Sequence, residues 1–348
     1  MRGTSIKEVA RHAGVSVGTV SNVLNHPELV AEPTRRRVQA SIAALGFVRN
    51  ESARQLRAGR SRTIGLVVLD VANPFFTDVA RGVESVADEV GSVVTLANSA
   101  ESADRERRHL ELLLEQRVQG VLITPVDGRT ANLEPFAELG IPVVLLDRGS
   151  RTHTMCSVAV DDVLGGRLAV THLLEQGHRR IAFVGGPQSI EQVTDRRHGA
   201  EQALADAGLP GTLVVIGTQA LQVAEGQQAA RRLLQLDDRP TAVFCANDLL
   251  ALGVLRELTR QGLRVPEDLA IIGYDDIDFA AAAAVPLSSI SQPREELGRS
   301  GAQLLLEEAE QGGSHRHRQV VFSPELIVRE SSSHRIAPQA AQSLAEGA

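Results

Sequence analysis

Short apolar runs recur along most of the chain, and each is followed by a segment long enough to form a helix. Runs that are apolar throughout, rather than alternating, are typical of parallel strands that helices cover on both faces. The runs lie at residues 64–69, 93–97, 121–124, 143–146, 181–184, 213–216, 242–245 and 270–272. These are too many units for one mononucleotide-type sheet, so the pattern predicts an α/β body with two lobes.

The body is predicted to span residues 63–330. A helical pattern near 294–311 and the terminal strands would return across both lobes. One lobe is therefore expected at about 63–160 and 293–322, and the other at about 162–290 and 324–330. A cleft between such lobes is a natural hinged ligand site. We expect residues 331–348 to form a disordered tail, and their lack of leucine heptads favours a dimer over a coiled-coil tetramer.

The first 49 residues have a helical pattern. Ser5 and Glu8 have the spacing of a capping box, and Gly14 ends the helix that it opens. Ser16 is suited to cap a second helix, and Gly46 to close a third. The apolar stripe expected on the second helix is Val17, Val20, Val23 and Leu24. This all-α plan is that of a helix-turn-helix, which inserts its second helix into the major groove, although an ordinary three-helix bundle would show similar spacing.

The charge distribution supports a nucleic-acid partner for this head. Residues 1–62 contain eleven Lys and Arg against four Asp and Glu, a net charge of +7, whereas the whole chain carries −7, which leaves −14 on the remainder. A compact basic segment on an acidic body is typical of a polyanion-binding module. A solvated basic tail is the alternative.

Cysteine usage and hydropathy limit the other classes of function. Cys156 and Cys245 lie in apolar contexts without CxxC or histidine-rich spacing, so we predict core thiols and neither a disulfide nor a metal site. No cofactor is expected. The N-terminus lacks an apolar signal region, and no apolar run of about 18 residues occurs, so we expect a cytoplasmic protein without a membrane partner.

The residue strings are more specific than their spacing. The strings IKEVARHAGVSVGTVSNVLN and RRVQASIAALGFVRNESARQLRAGRS resemble the head and hinge of the LacI/GalR repressor family, and the resemblance continues to SPELIVRESS. It implies a transcriptional repressor that binds double-stranded operator DNA as a homodimer. Residues 1–49 would be the helix-turn-helix domain and residues 50–62 a hinge that becomes helical on DNA.

The resemblance also assigns DNA contacts by position. Base contacts fall on Val17, Gly18 and Asn22, and a wedge in the minor groove falls on Leu56. Further DNA contacts, mainly to phosphates, fall on Ser16, Thr19, Ser21, Asn25 and Asn50. Asn22 departs from the arginine common in the family, and asparagine suits adenine or a single contact rather than a bidentate pair with guanine. We therefore expect an operator that differs from the usual one.

Polar and aromatic side chains follow the predicted strands, where ligands of open parallel sheets bind. Carboxylates, guanidinium groups and amides bind vicinal hydroxyls, and an aromatic face suits a sugar ring. The set resembles the pentose-binding residues of ribose-binding proteins, which favours ribose or another pentose as effector. Leu221 departs from the aromatic lid usual in the family. The candidate ligand-binding residues are Asn73, Phe75, Phe76, Asp147, Arg148, Arg196, Asn247, Asp275 and Gln292.

Each candidate also has a structural interpretation. Asn73 and Asn247 could cap helices, Asp147 and Arg148 could form a surface ion pair, and the phenylalanines could belong to the core. We expect no enzymatic activity. The alternative is a repressor that responds to a purine or a phosphocarrier protein, and the more distant alternatives are a sugar-binding module and a glycoside hydrolase. Hydrolysis would use adjacent carboxylates, for which the candidate pairs are Asp161 with Asp162 and Asp275 with Asp276.

Overall fold

The computed structural model describes residues 4–47, 61–127, 131–150 and 154–333, and it divides into two units between Arg60 and Ser61. Residues 50–60 of the expected hinge, with Asn50 and Leu56, lie outside the described residues. Within the described residues, no helix is both long and apolar enough to cross a membrane.

The N-terminal unit contains α1 (Ile6–Ala13), α2 (Val17–Asn25), a 3-10 turn (Pro27–Leu29) and α3 (Glu32–Leu45). Both halves of the expected capping box at Ser5 and Glu8 are formed. The three helices enclose a small core whose buried members are Val9, Ala10, Ala13, Val20, Val23 and Val38. Val17 was expected in the apolar stripe of α2, but it lies outside this core, because 39% of it is exposed.

Lobe 1 of the body is a six-stranded parallel sheet in the order β11-β5-β4-β3-β1-β2. Its strands are β1 (Thr63–Val68), β2 (Val93–Asn98), β3 (Gly120–Ile123), β4 (Val143–Leu146), β5 (Cys156–Val160) and β11 (Gln319–Phe322). Its helices are α4 (Pro74–Glu89), α5 (Ala103–Glu115), α6 (Glu134–Glu138) and α12 (Arg294–Gln311), with 3-10 turns at Ala131–Leu133 and Gly312–Ser314. Helices α4 and α12 pack so closely that a Cβ on Gly82 would lie 2.0 Å from the carbonyl oxygen of Glu295.

Lobe 2 is a six-stranded sheet in the order β12-β10-β9-β8-β6-β7, in which only β12 runs antiparallel to its neighbour. Its strands are β6 (Ile181–Gly185), β7 (Val214–Gly217), β8 (Ala242–Cys245), β9 (Ala270–Asp275), β10 (Ser288–Ser291) and β12 (Glu325–Ile327). Its helices are α7 (Asp162–Glu175), α8 (Glu191–Asp206), α9 (Val223–Leu234), α10 (Asp248–Arg260) and α11 (Asp278–Ala281). The predicted α/β class with two parallel-sheet lobes is confirmed.

The ordered body extends beyond the expected boundary at residue 330. Ser331 and Ser332 are buried, and the hydroxyl of Ser331 donates a hydrogen bond of 2.6 Å to the carbonyl oxygen of Ile271 on β9. The expected start of the tail at 331 was therefore wrong, because these small polar residues close the end of lobe 2.

Candidate functional site

A pocket lies between the two lobes of the body, at the carboxyl ends of both sheets. This is where ligands of parallel sheets bind, because helix N-termini and loops meet there. Seven of the nine candidate ligand-binding residues line it, namely Asn73, Phe75, Phe76, Asp147, Arg196, Asn247 and Asp275. Arg148 and Gln292 do not line it; they hold neighbouring groups instead.

Asn73 has both of the roles considered for it. Its side-chain oxygen accepts a hydrogen bond of 3.1 Å from the backbone nitrogen of Phe75 and so caps α4. Its side-chain nitrogen donates a hydrogen bond of 2.9 Å to Oδ2 of Asp275. One buried amide therefore orients a lobe 1 helix and contacts a lobe 2 carboxylate.

Asp275 is the central acid of the pocket. Its Oδ1 accepts a hydrogen bond of 2.9 Å from the side chain of Gln292, which explains why Gln292 supports the pocket rather than lining it. Burial raises the pKa of Asp275 to about 6, and the nearby Arg196 guanidinium opposes that shift. Its φ of 102° is rarely adopted by side-chain-bearing residues, and such strained backbone is concentrated at ligand sites.

Asp147 is a second buried acid, contributed by lobe 1. Gln192 of α8 donates hydrogen bonds to its backbone oxygen, at 2.6 Å, and to its Oδ2, at 2.9 Å. Burial raises the pKa of Asp147 well above its ordinary value, and the Asp162 carboxylate adds to the shift. Its other carboxylate oxygen, Oδ1, has no hydrogen-bond partner among the described residues, so it is available to a ligand hydroxyl.

Arg148 forms no surface ion pair with Asp147, contrary to one interpretation of the sequence. Its Nε lies 2.6 Å from Oε2 of Glu191 on α8, and its Nη1 donates to the backbone oxygen of Asp127. Both Asp147 and Arg148 are buried. Arg148 thus joins lobe 1 to lobe 2 beside the pocket.

Arg196 forms the cationic floor of the pocket. Its Nε lies 2.7 Å from Oδ1 of Asp162, its Nη1 donates to the backbone oxygen of Ala246, and its guanidinium lies 3.6 Å from the ring centroid of Tyr274. The same Nη1 is 3.9 Å from Oδ1 of Asp275. A buried cation held this firmly keeps the surrounding carboxylates in place, because each would otherwise be an uncompensated charge.

Asn247 caps α10 by accepting a hydrogen bond from the backbone nitrogen of Leu250, and it donates one of 3.1 Å to the backbone oxygen of Leu221. The backbone nitrogen of Leu221 in turn donates to Oε1 of Glu101, which belongs to lobe 1. Burial raises the pKa of Glu101 to about 7. The loop that carries Leu221 is therefore attached across the cleft.

Sequence reasoning missed some of the polar lining residues, namely Asp70, Glu101 and Gln192. Asp70 and Glu101 follow β1 and β2 by two or three positions, so an extended search beyond each strand end would have found them. Gln192 lies inside α8, where the sequence gives no such signal. The aromatic side chains Phe75 and Phe76 both line the pocket while remaining buried, with ring centroids 5.0 Å apart and ring planes at 85°.

The cleft is closed in this structure. Its pocket holds about 30 Å³, which is room for two or three water molecules at about 10–15 Å³ each. Cross-lobe contacts hold it shut: Asn73 to Asp275, Gln192 to Asp147, Glu101 to Leu221 and Arg148 to Glu191. A sugar or a base needs more space, so the lobes must move apart for a ligand to enter.

The carboxylate pairs considered for hydrolysis have structural partners. Asp161 caps α7 by accepting from the backbone nitrogen of Leu164, and Asp162 pairs with Arg196. Asp276 lies 2.7 Å from Nη2 of Arg329. Each carboxylate thus has a role in holding the fold.

The candidate DNA-binding residues of the head lie along α2 and its cap. Ser16 caps the helix by accepting a hydrogen bond of 3.0 Å from the backbone nitrogen of Thr19. Val17, Gly18, Asn22 and Asn25 are exposed, and Asn25 donates to the hydroxyl of Ser21. The helix thus presents small and amide side chains to solvent, which suits entry into a groove.

The fold and the pocket define the class of protein: a helix-turn-helix head in one chain with a two-lobed ligand-binding body. Residues 5–50 match the family described as "Bacterial regulatory proteins, lacI family", and residues 170–332 match the "Periplasmic binding protein-like domain". The chain is 35% identical over 330 residues to the HTH-type transcriptional repressor PurR of Aliivibrio salmonicida, covering 94% of this chain and 98% of the relative.

Solved structures agree with this assignment. The lac repressor dimer bound to operator and the anti-inducer ONPF is 29% identical, with a TM-score of 0.80, covering 95% of this chain and 99% of that one. A LacI family regulator from Enterococcus faecium with bound ribose is 33% identical, with a TM-score of 0.71, covering 78% and 98%. The chain belongs to the lacI family and is a DNA-binding repressor with a small-molecule effector.

Proposed function

We propose that a small sugar, ribose or another pentose, binds between the two lobes and lowers the affinity of the repressor for its operator. The observation that carries the proposal is the meeting of two carboxylates, a guanidinium group and amides in one buried pocket, namely Asp147, Asp275, Arg196, Asn73 and Asn247.

The chemistry of this set suits a polyhydroxylated ligand. Carboxylates accept hydrogen bonds from vicinal hydroxyls, and amides and guanidinium groups donate to the same oxygens, so adjacent hydroxyls are held in pairs. Phe75 and Phe76 give the pocket an apolar side for the C–H face of a ring. The ribose-bound relative supports the same class of ligand.

A purine is the second candidate, because the PurR repressors are relatives over nearly the whole chain. A planar base gains most from flat aromatic surfaces on its faces. In this pocket the loop after β7 contributes Leu221, Ile190 immediately precedes α8 and Val193 lies in it, so lobe 2 supplies aliphatic side chains at these positions. The other side chains of the pocket include charged groups, which favour the hydroxyls of a sugar over a purine base.

The proposed mechanism is a shift between closed and open arrangements of the lobes. A sugar in the pocket replaces the direct bonds between lobes by bonds through its hydroxyls, and it can shift the equilibrium only by its differential affinity for the two arrangements. In a homodimer the two heads would lie on a pseudo-palindromic operator, with Val17, Gly18 and Asn22 at the bases and Leu56 in the minor groove. Unfolding of the hinge would then lower operator affinity.

Calorimetric titration of the full-length protein with ribose, arabinose and xylose, and with adenine, guanine and hypoxanthine, tests the effector. We expect one pentose to bind at one site per chain. The second measurement is operator affinity, followed by the fluorescence anisotropy of operator DNA that has been selected from a random pool. The pentose should release the DNA and so lower its anisotropy. If a purine binds and no pentose does, the effector is the purine. If the pentose tightens operator binding, the sugar is a corepressor rather than an inducer.

A further inference from the structure

Side chains from three separate segments of lobe 1 meet at the amino end of β5. Cys156 is the first residue of β5, Glu308 lies in the last turn of α12, and His315 and His317 lie between α12 and β11. Their sulfur, carboxylate oxygen and ring nitrogen atoms lie within 4.8 Å of one another. The sequence predicted no metal site here, because Cys156 and His315 are 159 positions apart.

The separations of these atoms match a four-coordinate ion. With Zn–S bonds of about 2.3 Å and Zn–N or Zn–O bonds of about 2.0–2.1 Å, tetrahedral ligand atoms lie about 3.3–3.6 Å apart. Sγ of Cys156 lies 3.1 Å from Nε2 of His315 and 3.9 Å from Nδ1 of His317. Nδ1 of His317 lies 3.7 Å from Oε2 of Glu308. These three separations bracket the tetrahedral value, and all four ligand atoms lie within 4.8 Å of one another.

The surrounding hydrogen bonds orient the ligand atoms inward. Nδ1 of His315 lies 3.3 Å from the side-chain oxygen of Gln311, so a proton on Nδ1 leaves Nε2 free to coordinate. The backbone nitrogen of Arg318 donates a hydrogen bond of 3.3 Å to the sulfur of Cys156. Oε2 of Glu308 is buried and has no hydrogen-bond partner among the described residues.

Access to the cluster is open. A cavity of about 270 Å³ is lined by Glu308, His315 and His317, so three of the four ligand residues border an entry path for an ion. The effector pocket lies at the opposite, carboxyl ends of the same strands, so the two sites are separate.

We propose that Cys156, Glu308, His315 and His317 bind one Zn²⁺ ion, which attaches the turn between α12 and β11 to β5. Thiolate and imidazole ligands suit zinc, and four protein ligands are typical of a structural rather than a catalytic site. The alternative is a metal-free cluster held by a thiol–imidazole hydrogen bond and an imidazole–carboxylate ion pair.

Titration of the untagged, metal-stripped full-length protein with Co²⁺ tests the thiolate ligand. We expect a sulfur-to-cobalt charge-transfer band that saturates at one ion per chain and disappears when Zn²⁺ is added. Cys156→Ala should lack the band, whereas Cys245→Ala should keep it, because Cys245 is the other cysteine of the chain and lies buried in lobe 2. A wild-type protein without the band, or an equal band in Cys156→Ala, would overturn the proposal.

Zinc titration of histidine variants tests the remaining ligands without disturbing the core. His317 is exposed, so His317→Ala should fold normally yet bind Zn²⁺ at least about 100-fold more weakly, beyond the loss usual for a supporting residue. Gln311→Ala should cost about 10- to 100-fold through the orientation of His315. His198→Ala, an exposed histidine on α8, is the control and should bind as the wild type does. Circular dichroism verifies the fold of each variant, and equal zinc affinity in His317→Ala would overturn the proposed four-ligand site, because zinc would then bind without His317.

Discussion

The side-chain nitrogen of Asn73 donates a 2.9 Å hydrogen bond to Oδ2 of Asp275, across the cleft that separates the two lobes. The bond joins residues 202 positions apart, and both of them line the pocket. The groups proposed to bind the sugar are thus also groups that hold the cleft shut. A ligand that forms new bonds to Asp275 therefore changes the contact between the lobes directly.

Replacement of Asp275 separates effector binding from DNA binding. Asp275→Asn keeps the size of the side chain but removes its charge, and hydrogen bonds to charged groups contribute about 1.5–3 kcal/mol. We expect pentose affinity to fall by about 10- to 100-fold while operator affinity without sugar is retained. Calorimetry and fluorescence anisotropy measure the two quantities. Asp278→Asn, whose side chain is 99% exposed, is the matched control. Loss of operator binding in Asp275→Asn would argue against the assignment of this residue to the effector.

Replacement of Arg196 should lower stability, not only effector binding. Arg196→Met leaves Asp162 buried without its partner, and breaking a buried pair in this way costs about 3–5 kcal/mol of unfolding free energy. Urea denaturation followed by circular dichroism measures the loss. Arg264→Met removes an exposed pair with Asp268 and should change the transition little. A normal urea transition in Arg196→Met would show that the guanidinium is not needed to stabilise the floor of the pocket.

Sugar affinity should depend on pH through Asp275. Burial raises its pKa to about 6, and hydroxyls that donate to it favour the ionised form, so affinity should weaken as the pH falls through about 6. In the free protein the sign is opposite: the folded carboxyl holds its proton more tightly than the unfolded one, so its contribution to stability falls as the pH rises from about 4 to about 6. Calorimetry between pH 5 and 8 measures the affinity.

Variants identify the group responsible for that pH dependence. Asp275→Asn should flatten the profile around pH 6. Burial raises the pKa of Glu101 to about 7, so Glu101→Gln should remove only the part of the profile near pH 7. A wild-type profile that is flat from pH 5 to 8 is incompatible with ionised Asp275 as a sugar ligand.

The ion pair between Arg148 and Glu191 should act as a latch between the lobes. If Arg148 serves the latch rather than the sugar, Arg148→Gln and Glu191→Gln should change pentose affinity by similar amounts, and the double variant should be no worse than either. Such non-additivity is expected of residues that share one interaction. A large loss in Arg148→Gln with none in Glu191→Gln would restore Arg148 as a direct ligand contact, as the sequence suggested.

Asn22 should determine one base of each operator half-site. Asn22→Arg is expected to change the preference at that position from adenine to guanine, by about 1–3 kcal/mol, because arginine pairs bidentately with guanine. Binding to a set of singly substituted operators measures the change. Asn25→Ala is the contrast: as a phosphate contact, its loss should weaken all sequences equally. An unchanged preference in Asn22→Arg would place the residue away from the bases.

Local features of this protein were determined by the sequence alone. Ser5, Ser16, Gly14 and Gly46 bound the head helices as expected, because caps depend on a few neighbouring residues. The strands β4 and β8 have the predicted limits, since apolar runs of this kind must be buried. The strand β10, with the sequence Ser-Ser-Ile-Ser, gave no such signal; Ser288 and Ser289 are buried there, and they donate hydrogen bonds to Ser331 and Asp248.

Only the tertiary structure decided which side chains became partners. The sequence placed Arg148 and Gln292 near the effector, but folding directs them to Glu191 and Asp275. It also brings Cys156 to histidines 159 and 161 positions away. The partner of a long side chain depends on the distances that the packing of the lobes creates, and those distances cannot be deduced from spacing in the sequence. The positions of the strand ends could be predicted from local chemistry, whereas the bonds that close the cleft between them could not.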